Sequence, residues 1–327
     1  MKYKNNQEAT WELKLNKDMK SIYTIISVSI IFMLFGCGSA TQNSSNEKTL
    51  KIAYIPITHA LPLFAAIELD DSERENKNVE LVKFSSWPEL VEALNAGKVD
   101  GASILVQLAL KSKVAGHPLK AVALGHRDGN VVVAKPEIEG PEQLTGKTIA
   151  IPHRMSSHNI LLQQVLKNSG IDPSQVKITE LPPPEMPAAI ATNQIQAYVV
   201  AEPFGAKSVV AGHSHVLSQS SDIWENSICC ALVVNTKAIE DKQQEIKSFV
   251  NDYIKAGNQL DTKGQATINL AEKYLKVKPE VLKQSLEWIN YQNLSISQQD
   301  YNLLVEKIKE FGILDNPPAY NDFVLNY

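Results

Sequence analysis

The chain has 327 residues, of which 21% are charged and 44% are hydrophobic, and its formal net charge is −4. This length accommodates two lobes with separate cores, and the composition is that of a folded soluble protein rather than a disordered one. Because the charge is slightly negative and no lysine or arginine run occurs, we do not expect nucleic acid as a partner.

The first predicted element is an export signal near the N-terminus. Residues 20–37 consist of a lysine, an apolar run and the sequence Leu-Phe-Gly-Cys. The apolar run has the length of a signal-peptide core and is short for a membrane-spanning helix, although an uncleaved anchor is the alternative. Because Met19 stands directly before this segment, translation can start at Met1 or at Met19.

The Leu-Phe-Gly-Cys sequence resembles a bacterial lipobox. It predicts a lipoprotein signal peptide over residues 1–36 and acylation of Cys37, with chains such as palmitate holding the protein to the membrane. Residues 37–49 are small and polar, which is typical of a flexible tether. We therefore expect the extracytoplasmic face of the cell membrane, either on a Gram-positive surface or in a periplasm.

Strand and helix patterns alternate through most of the remaining chain. This alternation predicts α/β lobes, each with a mixed and mostly parallel sheet flanked by helices. Strands are expected over residues 51–55 and 79–84. A helix follows, in which Ser86 and Glu89 match a capping box, and the next strand is expected over residues 99–105.

The second half of the chain repeats this unit. Residues 88–102 align without a gap to residues 184–198. The alignment pairs Gly97, placed to end the first helix, with Asn193, and both residue types tolerate a positive φ. A repeated helix–turn–strand unit is what two similar lobes would contain.

The repeat also suggests how the chain divides. We predict a first lobe from residues 50–135 and 233–327 and a second from residues 136–232, with hinge strands near 131–135 and 231–235. Ligands of open α/β sheets bind beyond the carboxyl ends of strands, so the loops there are candidate sites. The last third is predicted to be helical over residues 243–259, 266–276, 279–290 and 298–311.

Cys229 and Cys230 are neighbours in a predicted buried strand over residues 227–234. Neighbouring side chains of a strand point to opposite faces, so a disulfide between them would be strained, and we interpret both as small buried hydrophobes. His213 and His215 can share one face of a strand, but no cysteine or carboxylate stands at the spacing of a metal site. We expect no metal and no cofactor.

Several segments carry a family resemblance: Gly146–Pro152, Ser157–Asn159, Gly170–Pro173, Pro182–Met186 and Glu202–Phe204. Together they resemble the substrate-binding lipoproteins of ABC importers, in the group that binds nitrate, sulfonates, taurine, bicarbonate and thiamine-pyrimidine precursors. The resemblance covers about residues 50–260. It implies a type II periplasmic-binding-protein clamshell, in which two lobes close around a ligand.

The resemblance also implies a function. A monomeric protein would capture a small polar solute of the nitrate, sulfonate, taurine or bicarbonate class and deliver it to a permease and its ATPase. One alternative is a heteroaromatic vitamin precursor such as a thiamine-type aminopyrimidine, and another is a sensor lipoprotein that works without a transporter. We do not expect an enzyme, because the sequence contains no nucleophile elbow, phosphate loop or HExxH motif.

The loop before the helix expected near residues 157–170 supplies most candidate ligand contacts. A helix N-terminus presents unpaired N–H groups to an anion or another acceptor. Ser156 or Ser157 can cap this helix, and Arg154 can supply a planar charged fork. The resemblance places the family's ligand-contacting histidine at His158, beside Asn159.

Three further candidates lie in other loops. The resemblance implies that Glu202 faces the cleft. There its carboxylate would favour a ligand that donates hydrogen bonds or an anion bound together with a metal. Alternatively, Glu202 pairs with Arg154 or Lys207 and does not contact the ligand. Trp87 can stack on a flat or aliphatic ligand. His59 belongs to a loop that follows the first strand.

Overall fold

The computed structural model describes residues 48–68 and 78–327. The predicted signal peptide, the acylated Cys37 and nearly all of the predicted tether lie outside these residues. Within the described part of the chain, none of the helices combines the length and the hydropathy that a membrane span requires.

The described residues form the following elements. The strands are β1 (Leu50–Tyr54), β2 (Val79–Lys83), β3 (Gly101–Leu105), β4 (Leu119–Leu124), β5 (Arg127–Asp128), β6 (Asn130–Ala134), β7 (Thr148–Ile151), β8 (Lys177–Glu180), β9 (Ala197–Ala201), β10 (His215–Gln219), β11 (Cys230–Asn235) and β12 (Ile289–Asn290). The helices are α1 (Leu61–Glu68), α2 (Trp87–Asn95), α3 (Val106–Val114), α4 (Ser157–Asn168), α5 (Met186–Ala191), α6 (Phe204–Val210), α7 (Ser220–Ile223), α8 (Thr236–Asp241), α9 (Gln243–Leu260), α10 (Gln265–Leu275), α11 (Pro279–Glu287), α12 (Gln298–Glu310) and α13 (Tyr320–Phe323).

Two five-stranded sheets organise the molecule. The first has the strand order β2-β1-β3-β11-β4, and the second has the matching order β8-β7-β9-β6-β10. In each sheet the first three strands are parallel, and the fourth runs antiparallel to both of its neighbours. Their central strands are buried along their length, as continuous runs such as Val131-Val132-Val133 require.

The repeat predicted from the sequence is confirmed in the backbone. Helix α2 leads into β3, and helix α5 leads into the equivalent strand β9 of the second sheet. Gly97 and Asn193 occupy the same turn with φ values of 66° and 64°. The predicted capping box is wrong, because Ser86 precedes α2 but its side chain makes no capping hydrogen bond.

The sheets correct the predicted lobe boundary at residue 135. Strand β6 (Asn130–Ala134) was expected in the first lobe, but it pairs along its whole length with β9 of the second sheet. The chain therefore crosses between the sheets before residue 130. It returns through the segment after β10, since β11 begins at Cys230 and pairs with β3 and β4.

The C-terminal helices follow the predicted segments with one change of role. Helix α9 packs on α1, but α11 packs on α6, which follows β9 of the second sheet. Helix α11 ends at Glu287 rather than near residue 290, because Ile289–Asn290 pairs with β5 as strand β12. The segment assigned to the first lobe thus contacts both halves of the molecule.

Candidate functional site

Buried polar residues gather where strands of the two sheets end. His59, Gln107 and His126 follow β1, β3 and β4 of the first sheet, while His158 and Glu202 follow β7 and β9 of the second. All five are fully buried. These five residues lie beyond the ends of strands, the part of an open α/β sheet at which ligands bind.

The centre of this region is a group of metal-ligating side chains that we call the Cys–His cluster: His59, His126, Cys229 and Cys230. Their potential ligand atoms all lie within 4.8 Å of one another. His59 Nδ1 is 3.5 Å from Cys230 Sγ, and the centroids of the two imidazole rings are 3.4 Å apart. Four soft donors thus share one buried volume.

The prediction that the side chains of Cys229 and Cys230 point to opposite faces of a strand is wrong. Strand β11 begins at Cys230, so Cys229 lies before the regular pleat and its side chain is not bound by the alternation. The two sulfur atoms are 4.0 Å apart, and both thiols are free.

His59 is held in one tautomer by its surroundings. Its Nε2 lies 3.1 Å from the carbonyl oxygen of Gly129, which can only accept a hydrogen bond, so Nε2 carries the proton. The lone pair of Nδ1 is consequently directed at Cys230 Sγ. His126 accepts a hydrogen bond at Nε2 from the backbone N–H of Cys230 over 3.4 Å.

The electrostatics of the cluster favour one ionised sulfur. Burial opposes ionisation of Cys229, but a hydrogen bond with Cys230 and the three neighbouring histidines hold its pKa well below the usual range of a thiol. Burial and the adjacent Cys229 raise the pKa of Cys230. Burial lowers the pKa of His126 and of His158 to about 4, so both rings are neutral at pH 7.

His158 comes closest to the predicted role of a ligand contact. It is the second residue of α4, it is fully buried, and neither of its ring nitrogens has a hydrogen-bond partner in the part of the chain that the structure describes. Its ring interacts electrostatically with Cys229 and His59, which places it beside the Cys–His cluster.

The two serines before His158 are occupied by the protein. Ser156 caps α4 by accepting a hydrogen bond from the N–H of Asn159. Ser157 donates to the carbonyl oxygen of Ile228 and accepts from Nε2 of Gln107 over 2.6 Å. Ser157 therefore ties α4 to α3 and to the residue before Cys229.

Arg154 lies apart from this group. Its side chain is exposed and its guanidinium donates to the carbonyl oxygen of Ile178 over 3.0 Å. The amide of Asn159 donates to the carbonyl oxygen of Arg154 over 2.9 Å. Both side chains organise the loop, so the expected charged fork is turned away from the buried residues.

Glu202 is enclosed within the protein. Its carboxylate accepts from the N–H of Ala206 over 3.1 and 3.3 Å and from the hydroxyl of Ser285 over 2.8 Å. Gly205 leaves the necessary room, since a Cβ at that position would overlap the carboxylate. Burial raises the pKa of Glu202 to about 7.

Trp87 begins α2 and is only 2% exposed, so its ring belongs to the core rather than to an open surface. Three members of the Cys–His cluster are absent from the predicted ligand contacts: His126, and the two cysteines Cys229 and Cys230, which are interpreted from the sequence as buried hydrophobes. The only sequence signal for them is a pair of cysteines at the strand where the chain returns to the first sheet. In the sequence, His59 and His126 are separated from these cysteines by all the strands of the second sheet.

The chain is similar to several known proteins. The profile of the NMT1-like family matches residues 43–273. A crystal structure of the ligand-binding component of an ABC-type import system from Staphylococcus aureus, with zinc bound, is 35% identical. It superposes with a TM-score of 0.80 over 85% of this chain and 97% of that one.

Two curated relatives extend this similarity. A putative aliphatic sulfonates-binding protein of Bacillus subtilis is 28% identical over 249 residues, which are 71% of this chain and 72% of that protein. The nitrate import ATP-binding protein NrtC of Synechocystis is 26% identical over 205 residues, but this is 56% of this chain and only 30% of that protein. The predicted two-lobe α/β fold is confirmed, and the chain belongs to the NMT1-like family.

Proposed function

We propose that this protein is the extracytoplasmic solute-binding component of an ABC importer. It encloses a small polar solute between its two sheets and delivers it to a permease and its ATPase. The observation that carries this proposal is a set of buried polar atoms with no hydrogen-bond partner among the described residues: both ring nitrogens of His158, Oε1 of Gln107 and the side-chain amide of Asn130. Buried polar atoms are nearly always paired, so a bound solute is the expected partner.

The relatives support this role. The ligand-binding component of an import system from Staphylococcus aureus shares the fold, and one relative is named a putative aliphatic sulfonates-binding protein. The lipobox-like sequence at Cys37 supports attachment to the membrane through a lipid.

The candidate solutes would use different side chains, and these side chains differ in whether they already have partners within the protein. An aminopyrimidine would use Glu202 and Trp87; the carboxylate has protein partners, while Nε1 of Trp87 has no hydrogen-bond partner among the described residues. A sulfonate or nitrate would use the loop of α4, where His158 retains free nitrogens while the serines and Arg154 are engaged elsewhere. A metal ion is a second candidate, because four soft donors converge and the Staphylococcus aureus component contains zinc.

A thermal-shift panel on the full-length protein in detergent tests the proposal. Nitrate, bicarbonate with and without calcium, taurine, alkanesulfonates, thiamine, aminopyrimidines and zinc would each be added to metal-stripped, reduced protein. A solute at a hundred times its Kd should add about 2.7 kcal/mol to the unfolding free energy. Stabilisation by one class supports the proposal, and no stabilisation by any member contradicts it.

The lipid anchor has a separate test. Cys37→Ala should leave the signal peptide uncleaved or release the protein from the membrane fraction. A variant that still incorporates radiolabelled palmitate would contradict acylation at this position.

A further inference from the structure

We infer that the Cys–His cluster binds a soft divalent cation of the zinc class through both sulfurs, Nδ1 of His59 and an imidazole nitrogen of His126. The inference rests on the proposed function, since it names the solute class of the same site.

The spacing of the donors matches a tetrahedral centre. Bonds of about 2.3 Å to sulfur and about 2.0 Å to nitrogen place neighbouring donors of a tetrahedron about 3.3–3.8 Å apart. The two sulfurs are 4.0 Å apart, and Nδ1 of His59 is 3.5 Å from Cys230 Sγ. All four donor atoms lie within 4.8 Å of one another, and the two stacked imidazole rings, whose centroids are 3.4 Å apart, must rotate apart for both lone pairs to point at one ion.

The hydrogen bonds around the cluster orient its donor atoms as they would be oriented around a metal ion. A metal-bound histidine usually donates its second ring N–H to a carbonyl or carboxylate, which fixes the direction of the ligating lone pair. His59 has this arrangement, with Nε2 on Gly129 and Nδ1 toward Cys230. The hydroxyl of Tyr253 interacts electrostatically with Cys230, and within residues 48–68 and 78–327 it is buried with no hydrogen-bond partner.

The donor set also indicates which cations it accepts. Its four members offer two sulfurs and two imidazoles but no oxygen, whereas Ca²⁺ and Mg²⁺ require several oxygen ligands. Asp128, which follows His126 closely, is engaged by the N–H and hydroxyl of Ser227. Two thiolates would neutralise a divalent ion inside this buried site.

His158 connects the site to closure of the two sheets. The four donors belong to loops and strands of the first sheet or to the crossing segments, while His158 comes from α4 of the second. Its nitrogens are unpartnered and its ring interacts electrostatically with Cys229. A cation held by the cluster is thus covered by the opposite sheet, as a transported solute would be.

Metal titration of the full-length protein tests this inference. Reduced, metal-stripped protein in detergent would be titrated with Zn²⁺ in competition with a chromogenic chelator, and with Co²⁺ for spectroscopy. We expect about one equivalent of zinc and a thiolate-to-cobalt charge-transfer band. Cys229→Ser and Cys230→Ser should each weaken zinc binding by roughly a hundredfold or more and reduce that band, since each removes a direct ligand.

The matched control is the double substitution His213→Ala/His215→Ala. It removes two histidines of the second sheet outside the cluster, so zinc affinity should stay unchanged. The Co²⁺ spectrum is measured on the unsubstituted protein, so this test does not depend on whether a variant folds. Absence of a thiolate-to-cobalt band in that spectrum overturns the inference. Loss of zinc binding in the control with none in the cysteine variants would also overturn it.

The two proposals can fail separately. If zinc does not bind but an anion or an organic solute stabilises the protein, the inference fails and the solute-binding function stands. If neither zinc nor any member of the panel binds, both fail. Excess Ca²⁺ or Mg²⁺ should not displace zinc, and displacement would contradict the soft character assigned to the site.

Discussion

Glu202 is a fully buried carboxylate whose partners are a backbone N–H and a hydroxyl rather than a cation. Burial raises its pKa to about 7 from an ordinary value of 4.5. The nearby Tyr198 is itself buried, and Glu202 adds to the rise in the pKa of its phenol. The folded protein therefore holds a proton on Glu202 that the unfolded chain releases.

This proton makes stability depend on pH with a definite sign. The contribution of Glu202 to the unfolding free energy is greatest below pH about 4.5 and falls by up to about 3 kcal/mol as the pH rises through about 7. Glu202→Gln should remove this component, so the wild-type minus variant difference should decline between pH about 5 and about 8 in urea unfolding. Parallel pH curves for both proteins would contradict it.

His158 gives a second prediction at this scale. His158→Ala should weaken solute binding by roughly tenfold or more, because the imidazole nitrogens have no partner among the described residues and a solute is their expected partner. The unfolding free energy without solute should fall by about 2 kcal/mol, because removing the fully buried ring leaves a cavity. Calorimetry of binding and of unfolding measures both, with exposed His213→Ala as the control. A loss of stability with unchanged solute affinity would indicate a structural histidine.

At the scale of elements, the turn that follows α2 has its counterpart after α5. Gly97 has a φ of 66°, and a Cβ there would meet no atom within 4 Å, so a side chain would cost only backbone strain. Asn193 occupies the equivalent turn with a φ of 64°.

The equivalence predicts the effect of substitution. Gly97→Ala should lower the unfolding free energy by about 1 kcal/mol, whereas Gly97→Asn should cost less, because asparagine tolerates the left-handed region. Urea unfolding of the two variants compares them. A cost for Gly97→Asn that equals or exceeds that of Gly97→Ala would count against the equivalence of the two turns.

Local patterns in the sequence predicted the elements well because strand alternation and helix periodicity depend on near neighbours. Helices α9 to α12 lie close to the predicted segments, and the predicted helix–turn–strand repeat occurs as α2–β3 and as α5–β9. The placement of β6 was missed because its partner strand β9 is distant in sequence. The Cys–His cluster was missed for the same reason, since topology alone brings His59 to Cys230.

At the scale of the whole molecule, the two halves are joined by specific hydrogen bonds. Gln107 at the start of α3 donates to Ser157 at the start of α4 over 2.6 Å. Thr58 donates to the carbonyl oxygen of Glu202 through both its N–H and its hydroxyl, over 2.8 and 3.0 Å. These contacts stabilise the arrangement in which the buried polar atoms face one another.

Removing the hydrogen bond between Gln107 and Ser157 should reduce affinity, and the same substitution removes Oε1 of Gln107, one of the atoms that lack a partner among the described residues. Gln107→Ala should weaken solute binding by about threefold to tenfold, as the loss of one hydrogen bond predicts. Small-angle scattering should then show a larger mean radius at subsaturating solute than for the wild type. Gln265→Ala is the control, because that exposed side chain bonds only Asn269 of its own helix. Equal affinities for Gln107→Ala and the control would contradict the coupling.

The position of β11 also sets the order in which the protein can assemble. The second sheet is built from one continuous stretch, residues 130–219, so all of its strands are available once that stretch has been synthesised. The first sheet needs β11 between β3 and β4, and β4 cannot join it until residue 235 exists. Cys230 begins β11 and Cys229 directly precedes it. The nascent chain therefore has no complete Cys–His cluster until β11 is inserted into the first sheet.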